Sequence, residues 1–285
     1  MIEALRARVG GLERDDALLE PDRLRRRIDA LDRLENHLAG GPSADAALHA
    51  RIECLRATLE AANQCLYRSI REEIQRGAGA ESMRGWAAAA AADGQASPPA
   101  DGERYDYLDT LLSGVLQLDE PASGVAELAE EMVFYQPTPA RHAFDMIRRA
   151  ALAERDVLID LGAGLGHVAL LAAICTGARC IGIEREAAYV DCARRCANAL
   201  NLDNATFVPQ DVRSADLSAG TVFYLYTPFV GAMLDEVLSL LKRQAASREI
   251  RVCTLGPCTA IVAREPWLEA TDVPKADRPA LFCSV

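Results

Sequence analysis

Several features that would each identify a class of protein are missing from the sequence. No two of the nine cysteines have CxxC spacing, and no run of 18 apolar residues occurs. The first absence argues against common zinc and redox motifs, and the second argues against a membrane-spanning helix. The start, MIEALRARVGGLERDD, is charged throughout, so we expect no signal peptide and a cytoplasmic location. We expect the cysteines to be small buried hydrophobes in a reducing compartment, with no metal site.

Basic residues are too few to give the chain a broad positive face. The 31 lysines and arginines are outnumbered by 42 aspartates and glutamates, which gives a net charge of −11. Residues 77–131 carry 2 basic and 11 acidic groups, a net charge of −9, while residues 1–76 (13 and 14) and 132–285 (16 and 17) are each at −1. Because phosphate backbones and anionic lipids attract basic surfaces, we do not expect nucleic acid or membranes as partners.

Three regions follow one another along the chain. Residues 1–76 are predicted to form a helical hairpin, because apolar residues recur every three or four positions. The clearest apolar seam consists of Leu48, Ile52, Leu55, Leu59, Ala62, Leu66 and Ile70. A hairpin buries only one face of each helix, so we expect it to form a homodimer or, as a second choice, to pack on the C-terminal region. Residues 77–103, rich in Ala, Gly and Pro, are predicted to be an acidic linker before the region 104–285.

From residue 132 onward, short apolar strands alternate with helices. The predicted strands are VLIDL (157–161), CIGIE (180–184), TFVPQD (206–211), TVFYLYTPF (221–229) and IRVCTLG (250–256), with a closing pair from residues 267–285. Strands that are apolar on both faces indicate a parallel sheet covered by helices on both sides. The predicted fold class is therefore α/β, a doubly wound Rossmann-like sheet of seven strands that follows an N-terminal helical hairpin region.

The turn after the first of these strands is the strongest candidate site. The sequence Asp160-Leu161-Gly162-Ala163-Gly164-Leu165-Gly166 leads from a strand through glycines into a helix. Glycines let a ligand approach the backbone closely, and a helix start offers free N–H groups. A dinucleotide loop has the pattern GxGxxG, whereas His167 stands at the sixth position here. Asp160 would repel a pyrophosphate, but it suits the sulfonium and ammonium groups of S-adenosylmethionine.

Two further acids stand at the ends of the next two predicted strands. Glu184 lies 24 residues after Asp160 and could accept two ribose hydroxyls, while Asp211 could accept the exocyclic amine of adenine. Dinucleotide enzymes also place an acid at the position of Glu184, so this residue does not separate the two ligand classes. Each acid alone could be a solvated carboxylate or a helix cap. Three acids at successive strand ends favour a nucleoside site.

On these residues the sequence resembles the class I, seven-strand S-adenosylmethionine-dependent methyltransferases over about residues 130–285. The resemblance implies that DLGAGLG is the cofactor loop, that Glu184 is the ribose acid and that Asp211 is the adenine acid. The substrate-side motif falls on Tyr226-Thr227-Pro228-Phe229, and FYQPTP (134–139) resembles the family's lid segment. A more distant likeness is to the seven-strand histone-lysine methyltransferases.

The resemblance supplies the candidate site residues. Those assigned to the cofactor are Tyr135, Thr138, Asp160, Gly162, Ala163, Gly164, Gly166, Glu184, Asp211 and Tyr226. The candidate catalytic residues are Tyr135, Tyr226 and Thr227. Thr138 and Pro139 also fit the N-cap and first position of a helix, and Tyr135 and Tyr226 could be packing aromatics.

The predicted function is methyl transfer from S-adenosylmethionine to an N or O nucleophile of a protein side chain or a small molecule. Amino-methylating nucleic-acid enzymes of this class carry Asp/Asn/Ser-Pro-Pro-aromatic after the fourth strand, whereas Tyr226 and Thr227 stand in the first two of these positions here. This departure also argues against nucleic acid as the acceptor. Two alternatives remain open: a nicotinamide-dependent oxidoreductase, and a non-catalytic scaffold protein that binds the cofactor.

Overall fold

The computed structural model describes residues 2–38, 45–94, 105–118, 121 and 135–285. The chain divides into two compact units, Met1–Ile70 and Arg71–Val285. The predicted division into regions 1–76 and 104–285 stays a prediction.

The first unit is helical, as its apolar spacing predicts. Its helices are α1 (Ile2–Leu12), α2 (Leu24–Leu38) and most of α3 (Ala46–Gln75). One core joins α3 to α2, to α1 and to the short 3-10 turn after α1, through Val9, Leu18, Ala30, Leu34, Leu48, Ile52, Leu55 and Leu59. The two predicted helices are thus partly covered by the residues that precede them, a packing that the sequence analysis does not foresee. The homodimer stays a prediction.

A long helix occupies much of the predicted linker, which corrects that prediction. This helix, α4, spans Gly79–Gly94, whereas residues 95–103 lie outside the described ranges. Alanine is the strongest helix former, and Met83 is fully buried. Helix α4 packs against α7 (His167–Thr176), which is apolar on every side. A helix that is apolar on every side is buried on every side. Helix α4 buries a face of α7 that does not lie on the sheet.

The second unit is built on a seven-stranded sheet. Its strands are β1 (Val157–Leu161), β2 (Arg179–Glu184), β3 (Ala205–Pro209), β4 (Val222–Tyr226), β5 (Arg251–Leu255), β6 (Leu268–Ala270) and β7 (Ala280–Ser284). Their order is β3-β2-β1-β4-β5-β7-β6. Strands β1 to β5 are parallel, and β7 runs antiparallel to both β5 and β6. The predicted fold class is confirmed.

Helices connect and cover these strands. They are α5 (Tyr107–Leu116), α6 (Ala140–Arg149), α7, α8 (Ala187–Ala199), α9 (Gly231–Ala245) and α10 (Thr259–Val262). A core cluster contains Ile159, Phe223 and Val252 of the sheet together with Leu234 and Leu238 of α9. The last of them, α10, is a single turn after β5.

Strand β4 is shorter than predicted, because its C-terminal residues turn away from the sheet. It ends at Tyr226, and Thr227 has a φ of 40°, in the left-handed region. A residue in that region cannot continue a strand. The turn places residues 227–230 beyond the edge of the sheet.

The strand order reverses between β1 and β4, which lie side by side. In open parallel sheets a ligand binds in the crevice outside the carboxyl ends of the strands at such a switch point. Three of the predicted site acids lie at or just beyond this edge. In the described part of the chain, no helix is long and apolar enough to span a membrane.

Candidate active site

The glycine loop after β1 has the backbone conformation that its sequence predicts. Gly162, Gly164 and Gly166 have φ angles of 82°, 52° and 85°. The N–H groups of Gly162 and Ala163 donate to the carbonyl of Ile183 on β2, at 2.9 and 3.0 Å. A side chain at Gly162 would place Cβ 2.4 Å from Cβ of Pro228. The loop is therefore fixed to β2 on one side and touches the turn after β4 on the other.

Glu184, the predicted ribose acid, is buried at the end of β2 and is oriented by two backbone groups. The N–H of Gly164 donates to Oε2 and the N–H of Glu186 donates to Oε1, each at 2.9 Å. A carboxylate oxygen can accept more than one hydrogen bond. Both oxygens therefore keep capacity for the hydroxyls of a ribose.

Asp160 is a buried carboxylate whose charge receives little support from its surroundings. It lies opposite Gly182 on β2 and Tyr224 on β4, so these residues share one row of the sheet. Burial, and then the charge of Glu184, raise the pKa of Asp160 to about 7. Among the described residues, no hydrogen bond to this carboxylate lowers its pKa. A cationic ligand would stabilise the ionised form.

Tyr135 lies against the glycine loop. A Cβ added at Gly164 would meet the Tyr135 ring at 2.1 Å, and the ring centroid lies 5.1 Å from that of Tyr189 on α8. The Tyr135 hydroxyl is 3.0 Å from Nδ1 of His167, the first residue of α7. Burial lowers the pKa of His167 to about 4, so its imidazole is neutral near pH 7. The neutral ring can accept a hydrogen bond from the Tyr135 hydroxyl. Both the packing and the cofactor interpretations of Tyr135 are compatible with this position.

The start of α6 is capped by a residue that the sequence analysis misses, and this corrects the prediction for Thr138. The helix begins at Ala140, whose N–H donates to Oδ1 of Asp109 on α5 at 2.7 Å. The other carboxylate oxygen of Asp109 accepts from the N–H of Asp106 at 2.6 Å. The spacing of Asp106 and Asp109 is a capping signal for the start of α5, but it does not indicate the contact of Asp109 with α6.

Thr138 makes a different contact instead. Its Oγ1 lies 2.9 Å from the hydroxyl of Tyr224 on β4, and both side chains are buried. Tyr105 adds a second anchor nearby, because its hydroxyl donates to the carbonyl of Pro137 at 2.8 Å. Together with the Tyr135–His167 contact, these bonds fix residues 135–139 against the sheet edge. The segment is held in place without the Thr138 cap.

Asp211, the predicted adenine acid, follows β3. Its carboxylate pairs with Arg213. Its Oδ1 accepts from the N–H of Arg213 at 2.9 Å, and its Oδ2 accepts from the guanidinium at 2.7 Å. The hydrogen bond from the Arg213 side chain is the main cause that lowers the pKa of Asp211. The acid therefore caps a short 3-10 turn, the alternative that the sequence left open. Its contact with adenine stays a prediction.

Thr227 connects the turns after β4 and β5. Its hydroxyl donates to the carbonyl of Leu255 at 3.0 Å and accepts from the N–H of Cys258 at 3.2 Å. The side chain is buried, so these contacts give the catalytic prediction for Thr227 no support. Tyr226, the last residue of β4, is half-buried, and its predicted roles stay predictions.

The cysteines take no part in this site. All nine lie in the described ranges and none forms a disulfide; six are buried, and Cys54 and Cys65 are exposed on α3. Within the described ranges, no group of three or more His, Cys, Asp or Glu side chains could hold a metal ion.

The donor set fits S-adenosylmethionine better than it fits a dinucleotide. Glu184 offers two oriented oxygens for a ribose, and within the described part of the chain no cation contacts the buried carboxylate of Asp160. A pyrophosphate next to Asp160 would add negative charge to a site that already disfavours it. The glycine loop lacks side chains where Pro228 and the Tyr135 ring pack against it.

Comparisons with known proteins agree with this site. The model of the family described as histone methylation protein DOT1 matches residues 132–210, which include the glycine loop, Glu184 and β3. No curated protein matches the chain significantly.

Solved structures of methyltransferases are similar to the chain over about half its length. An RNA methyltransferase from Salinibacter ruber, in complex with S-adenosylhomocysteine, is 28% identical, with a TM-score of 0.43 over 52% of this chain and 92% of that one. A putative methyltransferase from Escherichia coli is 17% identical, with a TM-score of 0.43 over 50% and 86%. A Pyrococcus abyssi tRNA (uracil-54, C5)-methyltransferase with the same ligand is 17% identical, with a TM-score of 0.40 over 52% and 39%.

Two of these three proteins are named for RNA. The exclusion of nucleic acid as a partner of this chain stays a prediction. The family match over residues 132–210 and the strand order confirm the predicted resemblance to the class I S-adenosylmethionine-dependent methyltransferases, and this resemblance implies S-adenosylmethionine as the cofactor.

Proposed function

We propose that the protein transfers a methyl group from S-adenosylmethionine to an N or O nucleophile of a protein side chain or a small molecule. The observation that carries the proposal is the geometry of Glu184. Its two oxygens are held by N–H groups of the glycine loop and of the start of α8 at the end of β2. This arrangement presents a fixed carboxylate beside a loop that a nucleoside can approach closely.

The residues of the site have separable roles in this proposal. When bound, S-adenosylmethionine supplies a methyl group on a positively charged sulfur, activated for direct transfer to a lone pair. Glu184 binds the ribose, Asp160 stabilises positive charge, and the glycine loop holds Glu184 in place through the N–H of Gly164. Tyr135 shields the loop from water by its position against Gly164. Positioning and exclusion of water account for most of the catalysis in such a reaction.

The match to the histone methylation family supports the cofactor half of the proposal. It ends at residue 210, before β4 and β5 begin. It therefore bears on the glycine loop and Glu184 and not on the strand ends where an acceptor would bind. A protein amine and a small molecule both remain acceptors within the proposal.

Calorimetry with S-adenosylhomocysteine tests the cofactor assignment. We expect binding to the wild-type protein and a dissociation constant about tenfold or more higher in Glu184→Gln, because a hydrogen bond to a charged group contributes roughly 1.5–3 kcal/mol. Glu269→Gln, on the edge strand β6, is the matched control and should bind like the wild type. A protein that binds NADH and not S-adenosylhomocysteine would instead be an oxidoreductase.

Transfer of labelled methyl groups tests the activity itself. With labelled S-adenosylmethionine and a cell extract, we expect label in the protein or small-molecule fraction that resists ribonuclease. Label that ribonuclease removes would show RNA to be the acceptor. Cofactor binding without label in any fraction would favour the non-catalytic scaffold.

A further inference from the structure

The segment that follows Tyr135 is stiff. Residues 136–139 are Gln-Pro-Thr-Pro, and a proline ring fixes its own φ and restricts the preceding residue to extended backbone. Because two prolines alternate with two residues restricted in this way, the segment has little freedom to bend between Tyr135 and the start of α6 at Ala140. Contacts that hold residues 137–140 therefore also fix the Tyr135 ring, which packs on the cofactor loop at Gly164.

The start of α6 receives its cap from another helix. The residue at its N-cap, Pro139, has no side-chain oxygen that could accept a hydrogen bond. The acceptor comes from α5 instead, where Oδ1 of the half-buried Asp109 accepts from the N–H of Ala140 at 2.7 Å. A carboxylate at a helix N-terminus is favoured both by this hydrogen bond and by the helix dipole. The start of α6 therefore lies where Asp109 holds it.

A second atom of the segment is held from the same element. Tyr105, which lies just before α5, donates from its hydroxyl to the carbonyl of Pro137 at 2.8 Å. Helix α5 is itself well anchored, because five of its ten residues are buried and apolar. The carbonyl of its last residue, Leu116, also accepts from Sγ of Cys196 on α8 at 3.1 Å. Two points of the segment, three residues apart, are therefore tied to one fixed helix.

Neither of these two contacts follows from the family match. The match begins at residue 132, whereas Tyr105 and Asp109 precede it. The two hydrogen bonds join residues 32 and 31 positions apart. The support for the Tyr135 segment thus comes from a part of the chain that the match does not include.

We propose that Asp109 and Tyr105 are positioning residues for cofactor binding, because they hold the segment that places Tyr135 over the glycine loop. This inference rests on the proposed function, since it assigns a support to the same cofactor site. Both residues act through Tyr135 and not by contact with the ligand. A ring that is already in place loses less conformational entropy on binding than a ring that the ligand must order.

The affinity of Asp109→Ala for S-adenosylhomocysteine, measured by calorimetry, tests this proposal. We expect the dissociation constant to rise about tenfold, because loss of a hydrogen bond to a charged group leaves the segment to be ordered on binding. Tyr105→Phe, which removes a single hydroxyl, should raise it about threefold. Asp106→Ala is the matched control. Asp106 caps α5 itself through the N–H of Leu108, at 2.7 Å, so this variant should lose stability but bind like the wild type.

A double-mutant cycle separates positioning from a general loss of structure. In a Tyr135→Ala background, Asp109→Ala should change the dissociation constant little, since the ring that Asp109 positions is no longer there. Hydrogen exchange followed by mass spectrometry gives an independent readout. Exchange in residues 135–143 should be faster than in the wild type for Asp109→Ala and unchanged for Asp106→Ala.

The proposal is overturned if Asp109→Ala binds S-adenosylhomocysteine as tightly as the wild type or more tightly. It is also overturned if Asp106→Ala loses as much affinity, or if the effects of Asp109→Ala and Tyr135→Ala simply add. Should Asp109→Ala fail to fold in thermal unfolding, Tyr105→Phe alone and combined with Tyr135→Ala gives the same decision. A wild type that does not bind S-adenosylhomocysteine would refute the proposed function instead, even where the exchange data show that Asp109 fixes the segment.

Discussion

Asp160 shows how one buried residue can make ligand binding depend on pH. Its pKa is raised to about 7 by burial and by the charge of Glu184, so the free protein holds a proton there below neutral pH. The raised pKa means that the folded state binds this proton more tightly than the unfolded state does. The contribution of Asp160 to stability therefore decreases as the pH rises from about 4 to about 7. A cationic ligand opposes that loss, because it favours the ionised form.

The affinity for S-adenosylhomocysteine should therefore fall as the pH is lowered from 8 to 6. We expect the dissociation constant to rise by up to about tenfold for each pH unit below 7, because protonation of Asp160 removes the charge that attracts the ligand's ammonium. Calorimetry across this range measures the effect. His167 does not titrate in this window, since burial lowers its pKa to about 4.

Asp160→Asn is the control for this pH dependence. The amide has nearly the shape of the acid but no charge to lose, so affinity should be weaker and nearly constant between pH 6 and pH 8. A pH profile in the variant that still follows the wild type would assign the dependence to another group.

At the residue scale, the sequence predicts where a side chain lies in the fold better than it predicts which residues that side chain contacts. Asp160 and Glu184 lie at the strand ends where the spacing of the acids places them. The hydrogen bonds between Asp109 and Ala140, between Tyr135 and His167, and between Thr138 and Tyr224 join residues 31 to 86 positions apart. Hydrophobic periodicity describes only neighbours along one element, so it contains no information about such pairs.

At the scale of elements, the alternation of apolar strands and helices in the sequence predicts most of the elements of the second unit. Strand β1 has its predicted bounds, and β2 and β5 agree to within one residue at each end. Helix α4 was missed because its composition of alanine and glycine suggests little to bury. The surface that it covers belongs to α7, far along the chain. Only the fold brings that apolar surface next to the alanines.

The packing of Tyr135 on the glycine loop predicts how a substitution in this element affects ligand binding. Gly164→Ala should abolish detectable S-adenosylhomocysteine binding, because the new Cβ would meet the Tyr135 ring at 2.1 Å. Left-handed backbone adds a strain of roughly 1–2 kcal/mol to any such substitution. Calorimetry measures the binding, and thermal unfolding shows whether the variant is folded.

Gly177→Ala is the matched substitution at the other end of α7. Gly177 also has a left-handed φ, 70°, but the nearest atom to an added Cβ is 3.9 Å away. It should therefore show the backbone strain alone and bind S-adenosylhomocysteine normally. Equal binding in the two variants would mean that the contact of Tyr135 with Gly164 does not matter for the cofactor.

On the scale of the whole molecule, the first unit depends on a buried cation. The Arg27 side chain is completely buried, and it donates to Oδ1 of Asn63 at 2.7 Å and to the carbonyl of Leu18 at 2.9 Å. Removing the guanidinium would leave these buried acceptors without donors. Each unsatisfied acceptor would lower the free energy of unfolding by roughly 1–3 kcal/mol. The arginine therefore connects α2, α3 and the turn before them by polar contacts inside an apolar core.

Arg27→Met should lower the free energy of unfolding by roughly 2–4 kcal/mol, as measured by urea unfolding followed by circular dichroism. Arg26→Met provides the comparison, because Arg26 is 54% exposed and pairs only with Asp15 among the bonds described. Exposed ion pairs contribute little to stability, so this variant should unfold like the wild type. If both variants lose a similar free energy of unfolding, the burial of Arg27 does not explain the destabilisation.

The net charge of the molecule is also uneven at this scale. A charge of −9 out of −11 lies in residues 77–131, and much of that stretch is outside the described residues. The total charge therefore says little about the acceptor. Composition excludes partners only where the charge is spread evenly over the chain.

The row of the sheet that contains Asp160 also constrains how this protein can change during evolution. Phe207 on β3 fills the space over Gly182 on β2, so that a Cβ at Gly182 would meet the phenylalanine ring at 2.5 Å and Cβ of Ala163 at 2.9 Å. A lineage that gains a side chain at position 182 must therefore shrink position 207 at the same time, or displace the cofactor loop. Among related sequences, the two positions should exchange large and small residues as a pair, and a single change at either one should be rare.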